Sequence, residues 1–339
     1  MIEVRDLHKT FRTQRRFPGF GGAIKGLFTR EYTETRAVDG ISFSIGDAEI
    51  VGYIGANGAG KSTTIKMMTG ILTPSSGRIL VDGLVPSERR RENAARIGVV
   101  FGQRTQLWWD LPLSESFSLL KDIYGVSDDD YAARMDFLDG VLGFREFFLS
   151  PVRTLSLGQR MRADLAAALI HQPRILYLDE PTIGLDIVVK DRVRKAIRHI
   201  NREYGTTIIL TTHDLDDIEE LCSRILVIDS GKIVWDGSIE ELRERFGYMR
   251  ELRLRLAALE GGKEGGIAER LEARLAPLDP ASRVTLADEE LVVDFDRRAL
   301  GIAALMREVM SICEVLDYSI RETKIDDIVK LIYAGKIRQ

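Results

Sequence analysis

The sequence predicts an α/β fold: a mostly parallel sheet covered by helices, followed by a small α+β domain. A glycine-rich loop, residues 55–63, lies between an apolar strand and a helix. Apolar strands and amphipathic helices then alternate as far as residue 229, which is typical of a parallel sheet covered on both faces. The composition changes near Gly247, where short alternating strands begin. These observations predict two domains, residues 1–246 and 247–339.

Composition and charge narrow the class of protein. The 339 residues are 45% hydrophobic and 29% charged, which fits a globular chain with room for two domains. The net charge of −4 argues against nucleic acid as a partner. Two cysteines give no disulfide framework. We recognise no signal peptide and no run of 18 apolar residues, so we expect a cytoplasmic protein that does not span a membrane by itself.

The N-terminal region predicts β-structure interrupted by an insertion. Ile2 and Val4 alternate with polar residues and predict an edge strand over residues 2–6. Residues 12–36 are rich in glycine, basic residues and aromatic residues and show no clear strand or long-helix pattern. Strand signals return at residues 41–45 and 50–54. We therefore treat 12–36 as an insertion in the first domain.

The glycine-rich loop has the pattern of a phosphate-binding loop, with glycine, lysine and serine at the fixed positions. Its glycines allow successive amides to point inward, and the following helix adds its positive N-terminal end. Lysine would reach the β- and γ-phosphates, and serine would bind Mg²⁺. The candidate ligands of a triphosphate are Gly55, Asn57, Gly58, Ala59, Gly60, Lys61, Ser62 and Thr63.

The sequence of the first domain predicts several helices in its middle part, with apolar strands before and after them. Strands are expected at 77–81, 97–101, 175–178, 206–211 and 225–229, with a last antiparallel strand ending near Trp235. Helices are expected at 113–124, 128–142, 157–170, 187–204 and 215–222. Residues 104–170 therefore predict a helical subdomain.

Two carboxylates end the apolar strand at 175–178. An acidic residue at the end of a strand is common in parallel sheets. Together with a phosphate loop, however, the two carboxylates indicate a site for metal binding and hydrolysis. Asp179 is placed to hold Mg²⁺ through water, and Glu180 to polarise an attacking water. Ser156 and Gly158 open a helix and offer a hydroxyl and free amides to an anion.

At this point the sequence resembles the ATP-binding cassette (ABC) transporter ATPases. Six of its motifs occur in family order over residues 1–246. They are the phosphate loop at 55–62, the Q-loop Gln103, the signature at 155–159, the strand 175–179 with Glu180, the D-loop at 184–186 and the switch His213. Leu157 replaces the first glycine that is usual in the signature, whereas Ser156 and Gly158 remain.

The resemblance implies a mechanism and partners. Lys61, Gln103, Glu180 and His213 would be catalytic, and Ser62, Gln103 and Asp179 would hold Mg²⁺. Ser156, Gly158, Gln159 and Asp186 would cover ATP bound to the other subunit of a homodimer, or of a heterodimer with a related ATPase. ATP closes such a dimer and hydrolysis opens it, which drives a membrane permease. The subunit would lie on the cytoplasmic face of the inner membrane.

Several alternatives remain open. A soluble ABC ATPase that works on ribosomes or chromosomes, and a non-catalytic regulatory cassette, are weaker matches to this single intact cassette. Export of drug-like or other small amphipathic substrates is favoured because residues 103–110 and 181–186 resemble the drug and viologen exporters. An importer ATPase is the alternative. Phe11 is our choice for the residue under adenine, and Phe17, Phe20 and Tyr32 are the other aromatic candidates.

Three further features have no assigned chemistry. The order β-α-β-β-α-β-α after residue 247 predicts a ferredoxin-like domain, which we interpret as regulatory or dimer-stabilising. Trp108 and Trp109 follow Gln103, where the family contacts its permease, so they are either an anchor for the permease or core packing. The basic, weakly amphipathic insertion is either a surface loop or a contact with the membrane face.

Overall fold

The computed structural model describes residues 1–14, 32–101, 104–256, 266–287, 290–322 and 325–333. The chain forms two compact units, Met1–Gly237 and Ser238–Gln339. Gln103, Phe17, Phe20 and the middle of the insertion lie outside the described residues, as does most of the glycine-rich turn at 261–266.

The first unit combines two sheets with helices. Its strands are β1 (Ile2–Gln14), β2 (Tyr32–Ile45), β3 (Ile50–Gly55), β4 (Ser76–Val81), β5 (Ile97–Phe101), β6 (Ile175–Asp179), β7 (Thr207–Thr211), β8 (Arg224–Asp229) and β9 (Lys232–Ser238). Its helices are α1 (Lys61–Met68), α2 (Arg90–Arg96), α3 (Leu113–Tyr124), α4 (Asp128–Leu142), α5 (Leu157–Leu169), α6 (Ile187–Tyr204) and α7 (Leu215–Leu221).

The antiparallel sheet corrects two expectations about the N-terminal region. Its order is β2-β1-β4, so the predicted edge strand at 2–6 is central and has strand neighbours on both sides. The ends of the insertion are also strands, because β1 runs to Gln14 and β2 begins at Tyr32. Arg12 lies opposite Glu34 and donates to it at 2.7 Å. Most residues on both faces of this exposed two-stranded arm are polar, so no apolar pattern predicts its strands.

The second sheet carries the phosphate loop. Its order is β5-β6-β7-β3-β8-β9, and the neighbouring pairs from β5 to β8 are parallel. Strands β3, β6, β7 and β8 are almost continuous apolar runs, as expected for strands covered on both faces. The carboxyl ends of parallel strands meet at the same edge of the sheet, and ligands bind outside that edge in such folds. The mostly parallel sheet predicted from the sequence is confirmed.

The second unit is a ferredoxin-like domain, as predicted. Its elements are α8 (Ile239–Phe246), β10 (Met249–Leu256), α9 (Ile267–Leu275), β11 (Arg283–Ala287), β12 (Glu290–Asp296), α10 (Ile302–Met310), β13 (Val315–Glu322) and α11 (Ile325–Tyr333). The four strands form an antiparallel sheet in the order β11-β12-β10-β13. Apolar residues on one face of the sheet form the core with α9 and α10.

The two units divide nine residues before the predicted domain boundary, since the sequence placed residues 238–246 in the first domain. Ser238 begins α8 with a capping box, in which its hydroxyl accepts from the Glu241 amide and its own amide donates to the Glu241 carboxylate. Ile239 and Leu242 on this helix are buried, and α8 packs with α11. The capping signal thus starts the second unit at the helix rather than after it.

Candidate functional site

The phosphate loop, residues 55–63, connects β3 to α1. Gly60 has φ of 113°, and a Cβ there would lie 2.4 Å from the Ala37 carbonyl oxygen. A Cβ at Gly55 would lie 2.4 Å from the carbonyl oxygen of Ile228 on β8. Only glycine fits either position, so the loop can keep its inward curl and its close approach to neighbouring strands.

The tip of this loop and the start of α1 face outward. Asn57, Gly58 and Ser62 are exposed, and Thr63 is half-buried. Ala59 is buried and its carbonyl accepts a hydrogen bond of 2.9 Å from the Gly231 amide. The first turn of α1 carries no acidic side chain, so its N-terminal amides present positive potential to an anion.

Lys61 supplies the cation of the loop. Its side chain is buried, and its Nζ donates to the carbonyl oxygens of Gly55 at 2.5 Å and Ala56 at 3.1 Å. Burial lowers the pKa of Lys61, while the carboxylates of Glu180 and Asp179 raise it. The ammonium group therefore lies within the field of both carboxylates at the end of β6, which links the loop to that strand.

Asp179 ends β6 beside β7. Its Oδ1 accepts a hydrogen bond of 2.5 Å from the Thr211 hydroxyl. A carboxylate and the hydroxyl of Ser62 are hard oxygen ligands, and Mg²⁺ takes few protein ligands when it also binds phosphates. The residues present therefore fit a magnesium ion, with Gln103 outside the described residues.

Glu180 and His213 are brought together by neighbouring strands. The Glu180 amide donates to the Thr211 carbonyl at 2.8 Å, and the residue has φ of 55°. Nε2 of His213 lies 2.9 Å from Oε1 of Glu180. A left-handed backbone in a non-glycine residue is uncommon and is concentrated at functional sites, where the surrounding structure imposes it. The two side chains lie 33 positions apart in the sequence, and the structure brings them into direct contact.

A buried carboxylate behind this pair was missed from the sequence. Asp217 on α7 is fully buried and accepts from the hydroxyls of Thr182 and Thr212, the latter at 3.2 Å. Nε of Arg194 donates to it at 2.6 Å. Thr182 follows Glu180 by two residues, and Thr212 directly precedes His213. Asp217 thus joins the segments that carry Glu180 and His213. A charged residue on the buried face of each of α6 and α7 was the available signal.

Ser156, Gly158, Gln159 and Asp186 form a second group at the starts of α5 and α6. Ser156 and Gln159 cap α5 reciprocally, with hydrogen bonds of 2.9 and 3.2 Å. A Cβ at Gly158 would lie 3.1 Å from Val189 on α6, so the two helix ends are close. Asp186 caps α6 by accepting from the Val189 amide at 2.9 Å. The structure therefore divides the predicted residues into a group around the phosphate loop and a second group that caps α5 and α6.

The segment after Gln103 is tied to the signature helix. Asp164 on α5 accepts from the Thr105 hydroxyl at 2.8 Å and from the Gln106 amide at 3.1 Å. Burial raises the pKa of Asp164 to about 6, and these two hydrogen bonds act in the opposite direction. Asp164 therefore joins the segment that follows the Q-loop to the helix that the signature opens, another link that the sequence did not reveal.

Phe11, the residue chosen to lie under adenine, is partly exposed on β1. The Nζ of Lys9 lies 5.3 Å from its ring centroid. Phe11 is opposite Thr35, two residues before Ala37, whose carbonyl approaches Gly60. Tyr32, an alternative, is 56% exposed at the start of β2. The choice of Phe11 stays a prediction.

Comparison with known proteins gives consistent relatives. A family model described as ABC transporter matches residues 38–183. The ABC transporter ATP-binding protein NatA of Bacillus subtilis is 36% identical over 209 residues, covering 62% of this chain and 85% of NatA. The linearmycin resistance ATP-binding protein LnrL of Bacillus subtilis is 32% identical over 265 residues, covering 78% of this chain and 82% of LnrL.

An import protein and solved structures are also similar. The methionine import ATP-binding protein MetN of Geobacillus kaustophilus is 35% identical over 207 residues, 60% of each chain. The cbiO1 structure from Clostridium perfringens has a TM-score of 0.59 at 29% identity and covers 72% of this chain and 90% of its own. A dimeric ATP-binding cassette, MJ0796, bound to ADP and Pi, shares the fold with a TM-score of 0.58 at 23% identity over 70% of this chain and 99% of its own.

Proposed function

The chain belongs to the ATP-binding subunits of ABC transporters, and from this premise we propose that it drives export through a separate membrane permease. Its activity is ATP hydrolysis. The observation that supports the hydrolytic site best is the 2.9 Å contact between Glu180 and His213 beside the phosphate loop. An acid and a histidine in contact at the end of β6 can act together on a water near a bound phosphate.

The residues of the site divide the work of hydrolysis. The loop amides and Lys61 bind and orient the phosphates, and they stabilise negative charge as it develops. Mg²⁺, held by Ser62, Asp179 and Gln103, would neutralise phosphate charge when bound. Glu180 orients the attacking water and accepts its proton. His213 holds the Glu180 carboxylate and would contact the γ-phosphate.

Two copies of the chain would complete two sites. Such ATPase subunits dimerise, and we propose a homodimer in which Ser156 and Gly158 of one copy cover the nucleotide on the other. The capped, outward ends of α5 and α6 are suited to this contact because Ile187 and Val188 beside Asp186 are strongly exposed. A heterodimer with a related ATPase would use the same surface.

Export is favoured over import by the extent of similarity. The match to LnrL, a resistance protein, spans 265 residues and so extends beyond the length of the cassette. The match to MetN, an import protein, spans 207 residues. Import remains the second candidate because such relatives are as similar in identity within the cassette.

A contact with the permease is proposed at Trp108 and Trp109. These side chains are 39% and 49% exposed, and the Arg160 guanidinium lies 5.7 Å from the Trp109 ring centroid. Among the described residues no helix is long and apolar enough to cross a membrane. As the partner of a permease, the subunit would lie on the cytoplasmic face of the membrane, with the permease supplying the pathway and the substrate specificity.

Transport direction is tested in inverted membrane vesicles that contain this chain with its permease. Export predicts ATP-dependent accumulation of an amphipathic dye inside the vesicles, and vesicles with Glu180→Gln protein are the matched control. Accumulation only in right-side-out vesicles with ATP enclosed would favour import. Absence of stimulation of ATP hydrolysis by any co-purified membrane protein would argue against a transport role.

A further inference from the structure

Strand β13 is an exposed edge of the ferredoxin-like sheet. It pairs with β10 on one side, and among the described residues it is the last strand of the sheet. The strand is eight residues long, and its residues 316–322 are all exposed. The opposite edge strand, β11, has five residues. A long edge strand presents backbone donors and acceptors on its free side, which is a template for pairing with another strand.

The inner face of β13 continues the apolar core. Tyr318 and Ile320 lie opposite Leu254 and Leu252, which are fully buried. Yet Tyr318 is 56% exposed and Ile320 is 38% exposed. The apolar layer of the domain therefore reaches the free edge of the sheet without being covered there, and another apolar strand placed alongside would extend it.

The outer face of β13 carries charges that match β10. Asp317 lies opposite Arg255, and Arg321 lies opposite Glu251. The two charges on β13 have opposite signs and lie two residues on either side of Ser319. An antiparallel copy of the strand with Ser319 opposite Ser319 would place Asp317 opposite Arg321 twice. The order across four strands would then be Arg255, Asp317, Arg321 and Glu251, with alternating sign.

We propose that β13 of two copies of this chain pair in antiparallel fashion about Ser319, so that the two sheets become one. This proposal rests on dimerisation of the proposed ATPase and names a contact within it. An isologous contact requires a two-fold axis. Between two antiparallel edge strands this axis is perpendicular to the sheet, so both helical layers lie on the same side of it. Residues that lie opposite each other across the two strands must then point to the same face of the sheet. The axis therefore passes between the two copies of a single residue.

The charges select which residue that is. Centring on Asp317 would place Asp317 opposite itself, and centring on Tyr318 would place Glu314 opposite Glu322. Only the Ser319 centre joins each Asp317 to an Arg321 and also places Tyr318 beside Ile320. Cross-strand pairs of opposite charge stabilise a sheet, and like charges destabilise it.

Cysteine cross-linking tests the position of the axis. Full-length protein with Ser319→Cys, without nucleotide, should form a disulfide-linked dimer under mild oxidation, because the two side chains would face each other. Thr285→Cys, exposed on β11 at the other edge, is the matched control and should remain monomeric on a non-reducing gel. No dimer at Ser319→Cys, or equal dimer at Thr285→Cys, would overturn the proposal.

Charge exchange tests the register. Asp317→Arg alone and Arg321→Asp alone should each weaken nucleotide-free dimerisation about tenfold or more in sedimentation. Mixing the two variants should restore it, since each would then meet an opposite charge. No weakening, or no recovery in the mixture, would refute the pairing. ATP-dependent dimerisation of Glu180→Gln protein reports on the cassette separately, so its loss would count against the proposed function instead.

Discussion

Replacing Asp217 with alanine would remove the carboxylate that ties the segments of Glu180 and His213 together. Asp217 is fully buried and accepts hydrogen bonds from Thr182, Thr212 and Arg194. The substitution leaves the Arg194 guanidinium, whose side chain is only 10% exposed, without its closest carboxylate. The variant therefore combines a buried charge that has lost a partner with two hydroxyls that have lost an acceptor.

The magnitude follows from what remains. Breaking a buried ion pair by removing one partner destabilises a protein by about 3–5 kcal/mol. Arg194 keeps a hydrogen bond of 2.7 Å to Glu220, so we expect the lower end, about 3 kcal/mol. Because Thr182 and Thr212 adjoin the segments of Glu180 and His213, their release should also displace that pair. A displacement of about 1 Å lowers kcat by about 100-fold.

The assay is urea unfolding followed by tryptophan fluorescence, together with kcat for ATP hydrolysis. The three tryptophans are at positions 108, 109 and 235, so fluorescence reports on the first unit. Asp191→Ala is the matched control, since Asp191 forms an exposed pair with Lys195 on α6. We expect the control to change the free energy of unfolding by less than about 1 kcal/mol.

A second variant separates charge burial from position. Arg194→Met combined with Asp217→Leu removes both charges and should recover most of the lost stability, because buried pairs are often replaceable by apolar residues. It should not recover kcat, since Thr182 and Thr212 still lack their acceptor. If Asp217→Ala retains its stability and its kcat, the network does not hold the site together.

Three further substitutions test other parts of the structure. Trp109→Ala should abolish permease-dependent transport while the ATPase rate of the free subunit stays unchanged. A lower melting temperature together with the loss of both activities would indicate that Trp109 packs in the core instead. Gly60→Ala should weaken ATP binding by tenfold or more, as measured by calorimetry, because its Cβ would lie 2.4 Å from the Ala37 oxygen. Asp164 has a folded pKa of about 6, above its ordinary 3.8, so the stability it contributes is present at low pH and lost as pH rises from about 4 to about 6. Asp164→Asn should lack this loss of about 2–3 kcal/mol in unfolding experiments.

The sequence predicts the hydrolytic group because local rules place its members. One apolar strand ends at Asp179, and its parallel neighbour ends shortly before His213. The carboxyl ends of parallel strands meet at one edge of the sheet. Gly60 and Lys61 follow from the loop pattern. The 2.9 Å contact between Glu180 and His213 needs tertiary structure, but their shared edge does not.

The parts that the sequence does not predict depend on pairing between distant residues. Arg194 and Asp217 each break an amphipathic pattern, but neither pattern names the other residue as its partner. The central position of β1 follows from pairing with β4, more than 70 residues away for the Ile2–Val81 pair. Apart from Phe11 and Tyr32, the two-stranded arm at Arg12 and Glu34 is polar on both faces, so hydrophobic periodicity carries no signal there.

The most direct test of the hydrolytic site is ATP turnover by Glu180→Gln protein, measured together with ATP-dependent dimerisation. Glutamine keeps the shape of the side chain but cannot accept the proton of the attacking water. We expect turnover to fall by about 10²–10⁴-fold while ATP still drives dimer formation. Turnover at the rate of the parent protein would contradict the role of Glu180 and with it the account of the site.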